Sequence, residues 1–293
     1  DLWTLGEDWL LSADVLYNTL ENTPYWYDQR CERPVSTAPD GRGVYDCGGA
    51  PEAIVVGSFN GGESTLFALS AKKEWDTKAG RFDLFASYTH ADIKDIGYGT
   101  SSTATSNYSD FAAYDRQSPR EGISNFQVEH MLKIRVNWSK ELIPGYETRV
   151  SLFATRRSGQ PYSYTFSENN NCVLDVGGGR CPRESRNDDA GHLLYVPAGI
   201  NDPLFSPASF GGDAAAQQAF IDYIDSSELA QYRGGIAPRN NDNSRMTTII
   251  DLRLQQELPT LSSDHSFKLF FDIENLGNLL NDDWGRIERT RYE

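Results

Sequence analysis

The sequence predicts an all-β protein built from an antiparallel sheet of the kind that forms transmembrane β-barrels. Long stretches alternate apolar and polar residues with a period of two, and the connections between them alternate between short turns and long loops. No run of about eighteen apolar residues could form a spanning helix. Tyr, Phe and Trp make up 12% of the residues, and Gly and Asn gather between the regular stretches, as expected for many strands joined by turns.

The clearest alternation runs from Phe126 to Trp138, where the even positions are mainly apolar and the odd positions are mainly polar or charged. A strand in a soluble sheet is usually about five or six residues long, whereas one that crosses a bilayer at a tilt needs about nine to eleven. Trp138 ends the apolar face, which is typical of a ring at a membrane interface. A long two-sided strand in a secreted sandwich explains this stretch alone equally well.

The same alternation predicts seven strands, joined in pairs by short turns and separated by long loops. In a barrel, this asymmetry indicates short periplasmic turns and long external loops. One loop helix is predicted from about Ala214 to Tyr232, with Asp213 as its N-cap, and Arg286 to Glu293 resemble the beginning of a further, incomplete strand. The predicted strands cover residues 9–17, 65–75, 82–88, 126–138, 146–154, 246–254 and 267–273.

Aromatic residues are predicted to collect at the short-turn end of these strands, where they would form one side of a membrane girdle. Lys73 and His130 interrupt the apolar face; Lys73 could extend its amine to the interface, whereas His130 would have to lie near the other interface. The girdle residues are Trp9, Trp75, Phe82, Trp138 and Tyr146.

Charge and motifs exclude several classes of function. The net charge of −15 argues against a nucleic-acid partner, which requires clustered Lys and Arg. The sequence contains no HExxH, no phosphate-binding loop and no GxSxG turn, and its four His are isolated, so we expect neither an enzyme nor a cofactor. Loop carboxylates at Asp188, Asp189 and Asp202 could bind calcium, but no known ligand spacing is present, and solvated loop charge is the plainer account.

The four cysteines form two separated pairs, Cys31 with Cys47 and Cys172 with Cys181, each in a segment rich in Gly and polar residues. This arrangement predicts two local disulfides, formed in an oxidising compartment. Zinc is the alternative, but neither pair has the short spacing of a zinc knuckle.

The first long loop contains three consecutive aromatic residues, Tyr25, Trp26 and Tyr27. Amphipathic rings are favoured at recognition sites, so these residues are the candidate ligand contacts. Packing of the rings within their own loop explains them about as well.

Six ordered motifs cover most of the chain from about Ser64 onward: LSAKKEW (Leu69 to Trp75), YETRVSLFATRRSGQPYSYTF (Tyr146 to Phe166), LLYVPAGINDP (Leu193 to Pro203), YRGGIAPRN (Tyr232 to Asn240), DLRLQQELP (Asp251 to Pro259) and FDIENLGNLLNDDWG (Phe271 to Gly285). These motifs resemble the C-terminal part of the barrel in TonB-dependent outer-membrane receptors of the Oar-like group.

The resemblance implies a ligand-gated transporter in the outer membrane of a Gram-negative bacterium, with a barrel of about twenty-two strands and a plugged lumen. Residues 1–293 would form the C-terminal portion of that barrel, with the plug, the earlier strands and the closing strand outside this sequence. The implied partners are outer-membrane lipid, the plug and the rest of the barrel, the TonB complex and a ligand that the resemblance does not identify. A secreted all-β binding or adhesion module with disulfide-stapled loops is the alternative.

Overall fold

The structure is a computed structural model of the chain. It describes residues 2–4, 9–31, 33–45, 53–97, 99–109, 111–166, 192–259, 265 and 267–287.

One antiparallel sheet of eight strands dominates the molecule, which confirms the predicted all-β class. Each strand pairs with the next strand along the chain, so the sheet is a simple meander. Among the described residues the sheet is open, and its two edge strands do not pair with each other. The strands are β1 (Leu2–Thr4), β2 (Trp9–Thr19), β3 (Glu63–Thr77), β4 (Gly80–Asp95), β5 (His130–Ile143), β6 (Tyr146–Arg157), β7 (Thr247–Leu258) and β8 (Phe267–Ile273).

Strands β2 to β7 are 11 to 16 residues long, well above the five or six that are typical of soluble sheets. The predicted limits of β5 were wrong at both ends. The strand begins at His130 because residues 124–127 form a turn, in which Gln127 donates its backbone N–H to Ser124. The strand continues past Trp138 because the two-residue turn to β6 comes only at Pro144–Gly145, where Gly145 adopts a φ of +81° that favours glycine.

The register places the apolar positions of neighbouring strands on one face of the sheet. Ile134 lies opposite Ala86 on β4 and Ala154 on β6, and Ile250 continues the row on β7. On the other face, Asn137 lies opposite Asp83 and Ser151, in a row that Arg253 and Asp272 extend across β7 and β8. The predicted separation of apolar and polar faces is therefore confirmed.

The polar face also carries aromatic rings, which interact with guanidinium groups. Arg135 lies 3.0 Å from the Asp83 carboxylate and has its guanidinium carbon 5.7 Å from the centre of the Phe85 ring. Arg253 pairs with Asp272 at 2.6 Å and lies 5.5 Å from the Phe270 ring. Opposite charges on adjacent strands therefore pair within the sheet.

The aromatic residues gather at the short-turn end of the apolar face, as predicted. Trp75, Phe82 and Trp138 lie side by side on adjacent strands, and the Trp75 and Phe82 rings stack with their centres 5.3 Å apart. The Trp138 indole donates to the Ala79 carbonyl in the turn at 3.0 Å. The Lys73 amine lies 5.1 Å from the centre of the Trp9 ring, so this cation sits among the aromatic rings rather than at the centre of the face.

The buried hydrophobic core lies outside the sheet, in the long loops. It is formed by Leu194, Val196, Ile221, Ile224, Leu229 and Ala237, all less than 10% exposed. We call the described residues of the three long loops, which lie within 20–62, 96–129 and 158–246, the loop cap. A short hairpin within it pairs Thr23–Asp28 with Ile54–Phe59.

The cap contains two helices, where the sequence predicted one. The predicted helix, α2, covers Ala214–Ser226, and the Asp213 carboxylate accepts the Ala215 N–H at 2.8 Å, which confirms the N-cap. It ends before Tyr232, because Ser227 is extended and a 3₁₀ turn follows. Helix α1 (Ala104–Ser109) was missed because six small and polar residues leave no apolar periodicity.

Within the described part of the chain, neither helix is long and apolar enough to cross a membrane.

Candidate functional site

The three long loops of the cap contact one another, because the meander brings them all to the same end of the sheet. Arg42 in the first loop donates from Nη1 to the Leu193 carbonyl in the third at 3.0 Å. Gln117 in the second loop donates from Nε2 to the Asp28 carbonyl in the first at 2.9 Å. These contacts join residues more than eighty positions apart and make the cap one packed unit.

A cavity of about 350 Å³ lies where the three loops meet. Its volume is that of a small-molecule site. Three carboxylates, two guanidinium groups and two aromatic rings contribute to the lining, which also includes apolar residues such as Ile96 and Leu193. The charged and aromatic members are Asp40, Phe111, Tyr114, Asp115, Arg120, Glu121 and Arg239.

Arg239 is the most buried cation of this lining, with 5% of its side chain exposed. Its Nη2 donates to the Asp95 carbonyl at 2.6 Å and to the Gly122 carbonyl at 3.2 Å, and it also pairs with the Asp95 carboxylate. Its Nη1 has no hydrogen-bond partner among the described residues. A buried donor without an acceptor is costly, so a ligand that brings an acceptor to this nitrogen would be favoured.

The carboxylates of the cavity connect the loops. Asp115 accepts the Tyr45 hydroxyl at 2.7 Å and the Gln117 N–H at 2.9 Å. Glu121 accepts the Gly62 N–H at 2.7 Å, which ties the second loop to the first. The side chain of Asp40 is fully buried and accepts from Arg42 Nε at 2.7 Å. The site therefore combines fixed acceptors with one buried cation, Arg239.

Arg120 offers a second mode of recognition. Its guanidinium carbon lies 3.5 Å from the centre of the Tyr114 ring, a cation–π contact that leaves the planar group stacked rather than paired to a carboxylate. Together with Arg239, it suits the cavity to a ligand with acceptor groups and a flat apolar part.

Two buried carboxylates elsewhere in the cap are held in the charged form. Burial raises the pKa of Asp202, but the Ala198 and Leu204 N–H groups and the Tyr195 hydroxyl more than offset this and leave the pKa below its usual value. Burial likewise raises the pKa of Asp28, and hydrogen bonds from Arg30 bring it below the usual value. The Asp202 carboxylate, one of the three loop carboxylates considered for calcium, accepts hydrogen bonds from neighbouring residues of its own loop. The other two, Asp188 and Asp189, lie outside the described residues.

The three predicted ligand contacts lie on the hairpin strand Thr23–Asp28, where they alternate in direction. Tyr25 and Tyr27 stack on one side with their ring centres 5.5 Å apart. Trp26 lies on the other side and packs so closely over Gly99 that a Cβ there would lie 2.3 Å from the indole. The three rings therefore do not form one continuous surface, because a strand sends successive side chains to opposite faces. Ligand contact by these residues stays a prediction.

Cys31 is the predicted disulfide residue that the structure describes. It is 4% exposed, takes the bonded form, and no free cysteine is present among the described residues. Its three possible partners, Cys47, Cys172 and Cys181, lie outside that part of the chain. The pairing of Cys31 with Cys47 and of Cys172 with Cys181 therefore stays a prediction.

The charged lining of the cavity was not identified from the sequence, because its members come from three loops and share no motif. One weak signal exists: both cavity guanidinium groups follow a proline, in Pro119–Arg120 and Pro238–Arg239. Proline fixes its own φ and restricts the residue before it, so the chain that leads into each arginine is stiffened.

Comparison of the chain with protein-family models, with curated proteins and with solved structures gives no match.

Proposed function

We propose that this chain forms wall strands and external loops of an outer-membrane TonB-dependent receptor, which binds its ligand in the loop cap and imports it with energy from the inner membrane. The observation that carries the proposal is a meander of long strands whose apolar face is left uncovered by the described residues.

The apolar face has the extent expected of a lipid-facing surface. Along β5, eight residues separate Trp138, at the turn end, from His130, at the loop end. At about 3.3 Å per residue and a tilt of about 40°, this spacing corresponds to roughly 20 Å of vertical height, near the 25 Å apolar band of outer-membrane barrels. Ile134 and its row then lie at mid-depth.

The exposure of the apolar face is unusual for a protein in water. Val15, Leu69 and Leu254 on this face are 69%, 43% and 40% exposed. Contiguous apolar surface on this scale marks a site of interaction with a membrane or another protein. Lipid would cover all strands of the face at once and would explain why the described part of the chain contains no second layer over it.

The polar face is suited to a barrel interior. Its ion pairs join adjacent strands in the plane of the sheet, and the remaining polar groups could contact water or a plug. Edge strands that expose unpaired N–H and C=O groups cannot face lipid, so β1 and β8 would pair with further strands of the same barrel.

The TonB-dependent assignment, as distinct from any barrel, comes from the motif resemblance. The cavity at the junction of the external loops is where such a receptor would first hold its ligand, and Arg120 and Arg239 are the residues most suited to the contact.

The proposal can be tested on the complete protein in a Gram-negative host. Single spin labels at successive positions 132–137 should show high accessibility to oxygen at even positions and to a polar nickel complex at odd positions, and the protein should fractionate with the outer membrane. Uniform accessibility, or a protein that stays monodisperse without detergent, would instead support the secreted module. Cross-linking to the TonB C-terminal domain tests the energy-coupling step separately; its absence would leave a barrel without TonB.

A further inference from the structure

Two histidines and a glutamate meet at the loop end of the sheet, outside the cavity and unused by the proposed function. His90 on β4 and His130 on β5 are direct cross-strand partners, and Glu129 immediately precedes His130. All three side chains are partly exposed. In the sequence the two histidines are forty positions apart, so only the strand register reveals the cluster.

The distances within the cluster suit a single cation. One ligand atom from each residue lies within 4.8 Å of the other two. The two histidine Nδ1 atoms are 3.4 Å apart, and Glu129 Oε1 lies 3.5 Å from His130 Nε2. Around a tetrahedral zinc ion with Zn–N bonds of about 2.0–2.1 Å, neighbouring ligand atoms are roughly 3.4 Å apart. The imidazoles therefore already have the separation that the ion requires.

The surroundings orient the proposed ligands. Asn243 from the third loop donates from Nδ2 to Glu129 Oε2 at 2.9 Å, which leaves Oε1 directed towards His130. An outer hydrogen bond of this kind fixes the orientation of a metal ligand. The Tyr88 hydroxyl lies 2.8 Å from His130 Nδ1, where it could become the fourth ligand when that nitrogen binds the ion.

We propose that His90, His130 and Glu129 form a binding site for a divalent transition-metal ion, with Zn²⁺ the best match. Imidazole and carboxylate ligands suit zinc, nickel and copper, whereas calcium and magnesium take oxygen ligands. Three protein ligands at a partly exposed position leave a fourth site for water or another ligand. A hydrogen-bonded chain from Tyr88 through His130 to Glu129 is the competing explanation, but it gives no role to His90, whose Nδ1 lies 3.4 Å from that of His130.

The proposal is tested by titrating the complete protein, purified in detergent without a polyhistidine tag, with Zn²⁺ in a calorimeter and with Co²⁺ in a spectrometer. The expected result is one tight site per chain, with a cobalt spectrum typical of nitrogen and oxygen ligands. His90→Ala should weaken binding by more than about 100-fold, beyond the about 10–100-fold expected when Asn243→Ala removes an outer partner.

Two further variants keep the test independent of folding. Glu129→Gln preserves the shape of the side chain and a carbonyl oxygen for Asn243, so its loss of affinity reports the charge of the ligand. His265→Ala removes a histidine outside the cluster and should bind zinc like the unaltered protein. Absence of a tight site in the unaltered protein, or tight binding that survives both His90→Ala and Glu129→Gln, would overturn the proposal in favour of the hydrogen-bonded chain.

Discussion

The sheet and the loop cap of this molecule differ in where their apolar residues lie. In the cap, Ile224, Leu229 and Val196 are wholly buried against one another. In the sheet, regularly paired strands carry apolar residues that no other described residue covers, such as Val15 at 69% exposure. The cap therefore carries a hydrophobic core of its own, whereas the sheet depends on its surroundings.

Under the proposed function, this difference reflects two solvents, water around the loop cap and lipid around the sheet. Burial from water stabilises the cap as it does any soluble domain. In lipid, by contrast, apolar side chains gain little from contact with one another, and the decisive requirement is that every backbone group is paired. A substitution in the loop cap should therefore destabilise the loop cap and leave the sheet largely intact. The reverse should hold for a substitution in the sheet.

The largest effect is expected from Leu229→Ala in the cap. Truncation of a fully buried leucine costs about 2–5 kcal/mol, because it removes apolar contacts and leaves a cavity. Limited proteolysis and hydrogen exchange should show the cap opening, while the heat-resistant gel mobility of the folded barrel persists. Leu279→Ala, at a position 82% exposed, is the control and should have little effect. Joint loss of both regions would show that they are not independent.

A charge on the lipid-facing side should have the next largest effect. Ala154 lies in the middle row of the apolar face, opposite Ile134 and Ile250, and Ala154→Arg should cost about 2–4 kcal/mol near mid-bilayer. Thr155→Arg places the same side chain one residue away on the polar face and should assemble normally. Equal yields of the two variants in a membrane-assembly assay would contradict the proposed orientation.

Alkaline pH should loosen the cap before it affects the sheet. Burial raises the pKa of Tyr162 to about 12, and the Asp242 carboxylate, which accepts its hydroxyl at 2.8 Å, also favours the neutral form. The stability contributed by this raised pKa is present below about pH 10, the usual pKa of tyrosine, and is lost as the pH rises through about 12.

The loss of cap stability is measured by the protease sensitivity of the loop cap between about pH 10 and about pH 12. Burial also raises the pKa of Tyr164, the neighbouring tyrosine bound to Asp242. Replacement of both tyrosines by Phe should therefore reduce the pH dependence. An unchanged alkaline transition in that variant would assign it to other groups.

The smallest effect is expected from Asp213→Ala at the start of α2. Loss of the carboxylate that accepts the Ala215 N–H should cost about 1 kcal/mol. Asp222→Ala removes only an exposed hydrogen bond from Gln218 within the helix, worth about 0.2–0.5 kcal/mol. Amide hydrogen exchange in residues 214–226 distinguishes the two variants. Equal exchange rates in both would show that the Asp213 side chain does not stabilise the start of α2.

Much of the sheet could be predicted from the sequence, because alternation is a local signal. The face of each residue from Trp9 to Tyr17 and from Phe82 to Tyr88 follows from odd and even numbering alone. The ends of the strands were predicted less accurately. Gln127 continues the alternation in the sequence, but it lies outside β5, where its side-chain Oε1 accepts the Ile93 N–H at 2.6 Å.

The cap was predicted only where local rules apply. The N-cap at Asp213 follows from the residues beside it, whereas the pairing of Thr23–Asp28 with Ile54–Phe59 joins strands separated by a long connection and was not predicted. The cavity does not, because Arg239 reaches Gly122 across 117 positions, and a single sequence gives no sign of such a contact. The His90–His130 pair was missed for the same reason: register depends on both strands.

The meander has a consequence for the order in which the molecule forms. Each long strand pairs only with its chain neighbours, so the wall can grow one hairpin at a time with little chain entropy lost at each step. The cap needs contacts such as Arg42 with Leu193, which are 151 positions apart and exist only after β6 is in place. We therefore expect slow maturation of the loops on a wall that is already assembled.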